Sequence, residues 1–242
     1  MPNPYSITFA LGAMAGLLWL GLVNPTIKRA QSSFPSTLRI DAGIIALLAG
    51  LAGARLGFII AHWGYFSSQT NKIVRFWDGG LNWVGGAIGV LIGLALFAFF
   101  SRLSYWRLLD LLALPAAFMA FAAWLGCLLE GCAYGRPASL GGLSPLSVDI
   151  FGTQAERWPV QGMGAILSIV TIILLFILRG QQARDGIMAT TSLALISFTS
   201  LALAFTRGDP VRLFQDIRLD ALSSALLLAI ALLGLAFKIW KG

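Results

Sequence analysis

Ionisable side chains inside apolar segments are rare, because hydrocarbon solvates charge poorly, so the few that occur mark where structure or chemistry is concentrated. Two stand out. Arg55 lies in Gly53-Ala54-Arg55-Leu56-Gly57, and Glu130 lies in Cys127-Leu128-Leu129-Glu130-Gly131-Cys132. They could neutralise each other inside a bundle and fix helix register, or they could line a polar cavity; the residues alone leave both readings open. Three arginines follow in connecting segments: Arg136 in Tyr134-Gly135-Arg136-Pro137, Arg157 in Glu156-Arg157-Trp158-Pro159-Val160-Gln161, and Arg207 in Arg207-Gly208-Asp209-Pro210. A guanidinium presents paired N–H donors that fit a phosphodiester. Three at one membrane interface suit a lipid head group, with snorkelling and loop ion pairs as the alternative. The run Asp78-Gly79-Gly80-Leu81-Asn82-Trp83-Val84-Gly85-Gly86 could offer amide donors to a phosphate at a helix start, or let two helices pack closely.

The elements that position these residues follow from composition. The chain has 242 residues, of which 58% are hydrophobic and 11% charged, and its mean hydropathy is +0.83. That balance excludes a soluble globular enzyme, a disordered regulator and a disulfide scaffold. Seven apolar segments are read at Tyr5–Leu22, Ile44–Trp63, Trp83–Phe100, Leu109–Leu129, Gly162–Leu178, Ile187–Phe205 and Ala221–Trp240. In lipid the backbone must satisfy its own polar groups, so each is predicted to be a helix. The expected fold is all-α, a polytopic integral membrane protein with one transmembrane domain over 1–242. Turn residues punctuate the connections at Asn24-Pro25, Phe34-Pro35-Ser36, Gly141-Gly142, Ser144-Pro145 and Gly208-Asp209-Pro210. No internal repeat is evident, which argues against a repeat-built transporter.

The net charge of +7 is scattered, with no basic run longer than Lys28-Arg29, so nucleic acid is not an expected partner. Lys28 and Arg29 follow the first segment and no Lys or Arg precedes it, so it reads as a retained span rather than a cleavable signal. Charge placement favours an outside amino terminus and a cytoplasmic carboxyl terminus. The side carrying Lys28, Arg29, Arg39, Arg102, Arg107, Arg179, Arg184, Lys238 and Lys241 is then cytoplasmic. The other side carries Lys72, Arg75, Arg136, Arg157, Arg207, Arg212 and Arg218 among acidic residues. Two cysteines make no framework. A five-residue offset along a helix points Cys127 and Cys132 apart, so they are expected as buried, inert thiols. With His62 alone, no metal site is expected.

The ordered set of Gly53 to Gly57, Trp77-Asp78-Gly79-Gly80-Leu81 with Gly85-Gly86, Gly126 to Pro137, Arg157-x-Pro-x-Gln161, and Phe205-x-Arg207-x-x-Pro resembles the prolipoprotein diacylglyceryl transferase family over almost the whole chain. The resemblance implies seven spans with an outside amino terminus in the bacterial cytoplasmic membrane. It implies transfer of a diacylglyceryl group from phosphatidylglycerol to the thiol of a lipobox cysteine in a secreted precursor peptide, with no metal or organic cofactor. Arg207 matches an arginine on which the family relies. The chain also departs from the pattern. Val84 stands where the family has a histidine. Ala123-Trp124-Leu125-Gly126-Cys127 stands for Gly-Arg-x-Gly-Asn, so Trp124 replaces the arginine assigned to phosphatidylglycerol. Glu130-Gly131-Cys132 stands for Asn-Gly-Glu, and Gly162-Met163-Gly164 stands where a glutamate is usual.

The site residues expected on this reading are Arg207 and Glu130 for catalysis, Glu130 as a substitute base. Arg136, Arg157, Gln161, Tyr134, Arg55, Gly85 and Gly86 are expected to bind substrate. A phosphatidylglycerol-like anionic phospholipid and lipobox precursor peptides are the expected partners. The competing readings are a catalytically inactive family member acting as a phospholipid-binding or scaffold protein, and a small transporter.

Overall fold

The structure is a computed structural model, which describes residues 3–22, 34–75, 79–139, 144–149, 151–181, 184–211 and 213–240. Lys28, Arg29, Asp78, Arg212, Lys241 and the turns at Asn24-Pro25 and Gly141-Gly142 lie outside the described residues. Among the described residues, seven helices are long and apolar enough to cross a membrane: α1 (Pro4–Leu22), α2 (Ser36–Ala61), α4 (Trp83–Ser101), α5 (Tyr105–Glu130), α6 (Val160–Gly180), α7 (Ile187–Ala204) and α8 (Leu219–Trp240). A short α3 (Trp63–Phe66) and one 3-10 turn (Thr70–Lys72) sit between α2 and α4. Two antiparallel hairpins complete the described elements, β1 (Leu146–Val148) with β2 (Gln154–Glu156), and β3 (Leu213–Phe214) with β4 (Ile217–Arg218).

The seven-helix expectation holds, and the largest difference is at the start of α2. Hydropathy placed that span from Ile44, whereas the helix begins at Ser36, directly after Pro35 at φ −60°. Apolarity marks what hydrocarbon demands, not where a helix must start. The added turns carry Arg39, which is buried rather than exposed. Proline fixes φ and suits the position just before a helix.

Helix α5 is the central post. Leu108 to Pro115 is a continuous buried run, and α1, α6 and α7 all pack on α5. A core of Leu20, Ala42, Ala46, Leu94, Ala98, Leu108 and Leu111 joins α1, α2, α4 and α5. A second cluster, Leu114, Ala117 and Leu175, joins α5 to α6. The opposite faces carry exposed Ile7, Leu11, Leu18, Ile88, Ile92, Leu96, Ile166, Ile173, Leu226 and Leu233. Exposed aliphatic rows on long helices suit contact with lipid tails.

Helices α2 and α4 meet along glycines. A Cβ on Gly53 would strike the carbonyl of Gly85, and one on Gly89 would strike that of Ala49. This is backbone-to-backbone packing, which only residues without a side chain permit. Alternation of the spans puts the C-terminal ends of α2, α5 and α7 on one side of the membrane, together with the starts of α4, α6 and α8.

Candidate functional site

Three arginine-bearing segments of that side meet beyond the end of α5. The helix stops at Glu130 because Gly131 turns left-handed, with φ +81° and its amide bonded to the Cys127 carbonyl at 2.9 Å. Left-handed glycine is the usual way to end a helix. The reversal also overturns the expectation of two free thiols. The Cα atoms of Cys127 and Cys132 come to 4.6 Å and the pair forms a disulfide. The five-residue offset separates two side chains only while both belong to a helix; here the second lies beyond the helix end.

Beyond Ala133 the chain runs extended between two other segments. Gly135 bridges Arg207 on one flank, and Pro137 bridges Arg157 on the other. The Arg136 amide donates to the Thr206 carbonyl at 2.9 Å, and the Gly208 amide to the Tyr134 carbonyl at 2.8 Å. On the second flank the Trp158 amide donates to the Arg136 carbonyl at 3.1 Å, and the Ala138 amide to the Glu156 carbonyl at 3.0 Å. Gly135 and Gly208 make the approach possible, since a Cβ on Gly135 would run into Trp158 and one on Gly208 into the Arg136 backbone. The three expected arginines therefore share one backbone junction.

Their guanidinium groups have different surroundings. Arg157 is buried, at 3% exposed. It donates to Asp149 Oδ2 at 2.9 Å and to the carbonyls of Gly135, Ser147 and Thr153, and it lies over the Tyr134 ring at 5.1 Å. Every direction of its fork is occupied by protein. Asp149 is held below the ordinary carboxylate range, first by the Thr153 amide, then by the Phe151 amide and the charge of Arg157. Arg207 is half-buried and pairs with Asp209 through two bonds, at 2.7 and 2.5 Å, with Asp220 at 3.5 Å. Arg218 joins the same two carboxylates and also donates to the carbonyls of Arg207 and Asp209. Burial lowers the Arg207 pKa, but the bonds from Asp209 and the charges of Asp209 and Asp220 outweigh it, so Arg207 stays firmly protonated. Arg136 is exposed, and among the described residues its side chain makes no hydrogen bond or ion pair.

The remaining expected residues are distributed as follows. Tyr134 is buried beneath Arg157. Gln161, in the first turn of α6, donates to the Cys132 carbonyl at 2.9 Å. Glu130 is exposed at the end of α5 and is not paired with Arg55. Arg55 instead donates to the carbonyls of Lys72, Ile73, Gly79 and Gly80 and lies over Phe66 at 5.4 Å. Its four-carbonyl cradle ties the connection after α3 to α2, which corrects the reading of a mutually neutralising pair within the bundle. Gly85 and Gly86, expected at the ligand, form the helix seam. The Gly85 amide bonds the Asn82 side chain, and the Gly86 amide bonds the Asn82 carbonyl. Their donors are thus already satisfied within the helix cap.

The sequence reading passed over three residues. Asp209 and Asp220 complete the Arg207 network; an acid two residues after an arginine and another beside Arg218 were the available signals. Asp110 is a buried acid within a span, at 2% exposed. It caps the start of α7 across the bundle by accepting from the amides of Gly186 and Ala189 at 2.5 and 2.8 Å. Among the described residues, no group of three or more His, Cys, Asp or Glu could hold a metal ion.

The departures from the family pattern fall into contacting pairs. Trp124 lies on Gly164, where any Cβ would collide with the indole ring. The bulky residue on α5 and the missing side chain on α6 are thus one exchange. Cys127 and Cys132 are the other, joined covalently. Val84 is half-buried in the first turn of α4 and brings no titratable group.

A family model described as prolipoprotein diacylglyceryl transferase matches residues 3–237. Proteins named phosphatidylglycerol–prolipoprotein diacylglyceryl transferase are similar along most of the chain. The one from Bacillus licheniformis is 25% identical, covering 98% of this chain and 88% of its own length. That of Symbiobacterium thermophilum is 27% identical, covering 95% and 85%, and that of Dehalococcoides mccartyi strain BAV1 is 28% identical, covering 84% and 76%. With a match of that extent and the arginine junction seated at the ends of seven spans, the chain belongs to the prolipoprotein diacylglyceryl transferase family.

Proposed function

We propose that this protein transfers a diacylglyceryl group from phosphatidylglycerol to a cysteine thiol of a secreted precursor peptide. The observation that carries this reading is the charge arrangement at the junction. Arg157 pairs with Asp149, and Arg207 and Arg218 share Asp209 and Asp220, while the Arg136 side chain makes no ion pair among the described residues. The unpaired Arg136 lies beside a network whose arginine forks are held in place by carboxylates. A phosphodiester arriving from the bilayer gives Arg136 an anionic partner.

The reaction needs a thiolate, a held phosphate and a leaving group that tolerates its charge. The acceptor sulfur attacks the glyceryl carbon that bears the phosphate. The carbon–oxygen bond breaks, a thioether forms, and glycerol phosphate leaves with the bonding electron pair. Arg207, fixed by Asp209 and Asp220, is assigned to the phosphate as charge grows on its oxygens. Fixed donors aimed at developing charge are the strongest single contribution available to a protein site. Arg136 draws the head group in. Glu130, exposed at the end of α5, is assigned as acceptor of the thiol proton. Tyr134, Gln161 and Arg157 act by holding the junction, and Arg55 by holding the neighbouring connection.

The orientation that fits is an amino terminus outside and a carboxyl terminus in the cytoplasm of a bacterial cell. Two features support it. Disulfides persist on the oxidising side of a membrane, and Cys127–Cys132 lies on the junction side. The charge count along the sequence favours the same side.

The test is the full-length protein in phosphatidylglycerol vesicles with a synthetic lipobox peptide. Glycerol phosphate release and a peptide mass increased by one diacylglyceryl group are expected in equal amounts. Bound phosphatidylglycerol with no release from a folded preparation overturns the transferase reading and leaves a lipid-binding protein.

A further inference from the structure

The Cys127–Cys132 bridge plays no part in the chemistry above, yet it sits where the junction begins. Gly131 has a positive φ and open space where a side chain would be. That combination makes a joint, free to turn unless something holds it. Ala133 follows at φ +50°, a conformation that alanine adopts only when its neighbours impose it. Beyond it Tyr134 and Gly135 are buried, and the segment to Ala138 hangs on backbone bonds to Glu156–Trp158 and Thr206–Gly208. Two contacts anchor the start of this segment: the disulfide to α5, and the bond from Gln161 on α6 to the Cys132 carbonyl. The first is covalent. Both cysteines are half-buried rather than enclosed.

We propose that the Cys127–Cys132 disulfide is a positioning element that keeps the Tyr134–Ala138 segment docked between Glu156–Trp158 and Thr206–Gly208, and that opening it releases the arginine junction. Opening takes two electrons and two protons and gives two thiols; a membrane-impermeant phosphine with water supplies them and ends as the phosphine oxide. The consequence for transfer rests on the function proposed above, whereas the release of the junction does not. Arg136 and Arg207 keep their charges in either state but lose their fixed spacing, so the effect on catalysis falls on orientation rather than on attraction.

The experiment uses full-length protein in phosphatidylglycerol vesicles, with hydrogen exchange followed by mass spectrometry before and after phosphine treatment. Alkylation confirms that the bridge is open. Exchange is expected to rise roughly tenfold at the amides of Arg136, Ala138, Trp158 and Gly208 together, as one cooperative unit. The amides of Gly186 and Ala189, capped by Asp110 at the far end of the bundle, serve as controls and stay unchanged. Transfer is expected to fall about tenfold through kcat more than through KM, and to return on reoxidation. The C127S/C132S double variant should match the reduced protein without any reductant.

A rise confined to residues 127–133, or none at all with the bridge shown open, overturns the proposal whatever the activity does. Full transfer by the reduced protein with the junction released overturns the role in positioning. If even the oxidised protein transfers nothing while exchange rises as described, the docking role stands and the transferase reading falls.

Discussion

Arg55 and Arg207 lie on the same side of the membrane and both are fully engaged, yet they are held in opposite ways. Arg55 is surrounded by four backbone carbonyls and a phenyl ring, all of them neutral. Arg207 faces two carboxylates that it shares with Arg218. A carbonyl cradle fixes a loop: each bond ties a different residue to the guanidinium, and the loop takes its shape from the fork. A carboxylate network fixes the cation itself, and it can exchange partners when an anion arrives. The first arrangement suits a structural cation and the second the phosphate role proposed for Arg207, and residue type alone does not tell the two arginines apart.

The strongest way to break this contrast is to remove each cation in turn. Arg207→Ala leaves Asp209 and Asp220 to Arg218 alone and takes the fixed donors from the phosphate. Turnover of diacylglyceryl transfer should drop about 10²–10³-fold, the size expected when a donor aimed at developing charge is lost. Thermal unfolding should move little by comparison. Arg55→Met should do the reverse. It leaves carbonyls of the connection after α3 without their charged donor, a loss of about 3 kcal/mol of stability, with activity per folded molecule nearly kept. An Arg55→Met variant that stays fully stable but loses turnover would show that the carbonyl cradle reads substrate after all.

A smaller effect is expected one step away, in the seam that carries Arg55. Gly53→Leu forces a side chain against the Gly85 and Gly89 backbone, and separating α2 from α4 should cost roughly 2 kcal/mol. Among the described residues the backbone bonds of the junction run to segments other than α2 and α4, so lipid binding at Arg207 should persist. Equal damage to both regions, read by unfolding in detergent and by lipid binding, would mean they act as one unit.

The sequence disclosed the spans well, because hydrocarbon imposes a composition that no other solvent does. It disclosed the arginines by type but not by partner. Arg157 and Arg207 look alike in sequence, and Asp149, eight residues before Arg157, separates them only once the β1–β2 hairpin folds it back. The glycine run at Gly85-Gly86 was open to two readings since both need the same residue. The packing use became visible only with the partner helix, whose Gly50 and Gly53 lie far away in the chain. The disulfide was missed for a local reason. Helical geometry was extended to Cys132, although Gly131 was the signal that the helix had ended. The pairing of Trp124 with Gly164 was invisible for a longer-range one, as the two departures lie on different helices.

The mildest test separates Arg157 from Arg207 by acidity. Asp149 titrates below the ordinary carboxylate range because the folded chain supplies the amides of Thr153 and Phe151 and the charge of Arg157. A lowered folded pKa contributes stability that is complete above the unfolded value, about 3.9, and disappears as pH falls through the folded value. The native protein should therefore lose part of its stability below about pH 4, with the β1–β2 hairpin loosening first. Asp149→Asn removes that titration. Its unfolding midpoint should start slightly lower at neutral pH, run flatter into acid, and meet the native curve at the acid end. Transfer at neutral pH should change far less than for Arg207→Ala, because an Asn oxygen in the place of Oδ1 still accepts from the Phe151 and Thr153 amides, and Arg157 keeps its bonds to the Gly135, Ser147 and Thr153 carbonyls. A loss of turnover as large as that of Arg207→Ala, with the hairpin intact, would move Arg157 from the frame of the junction into its chemistry.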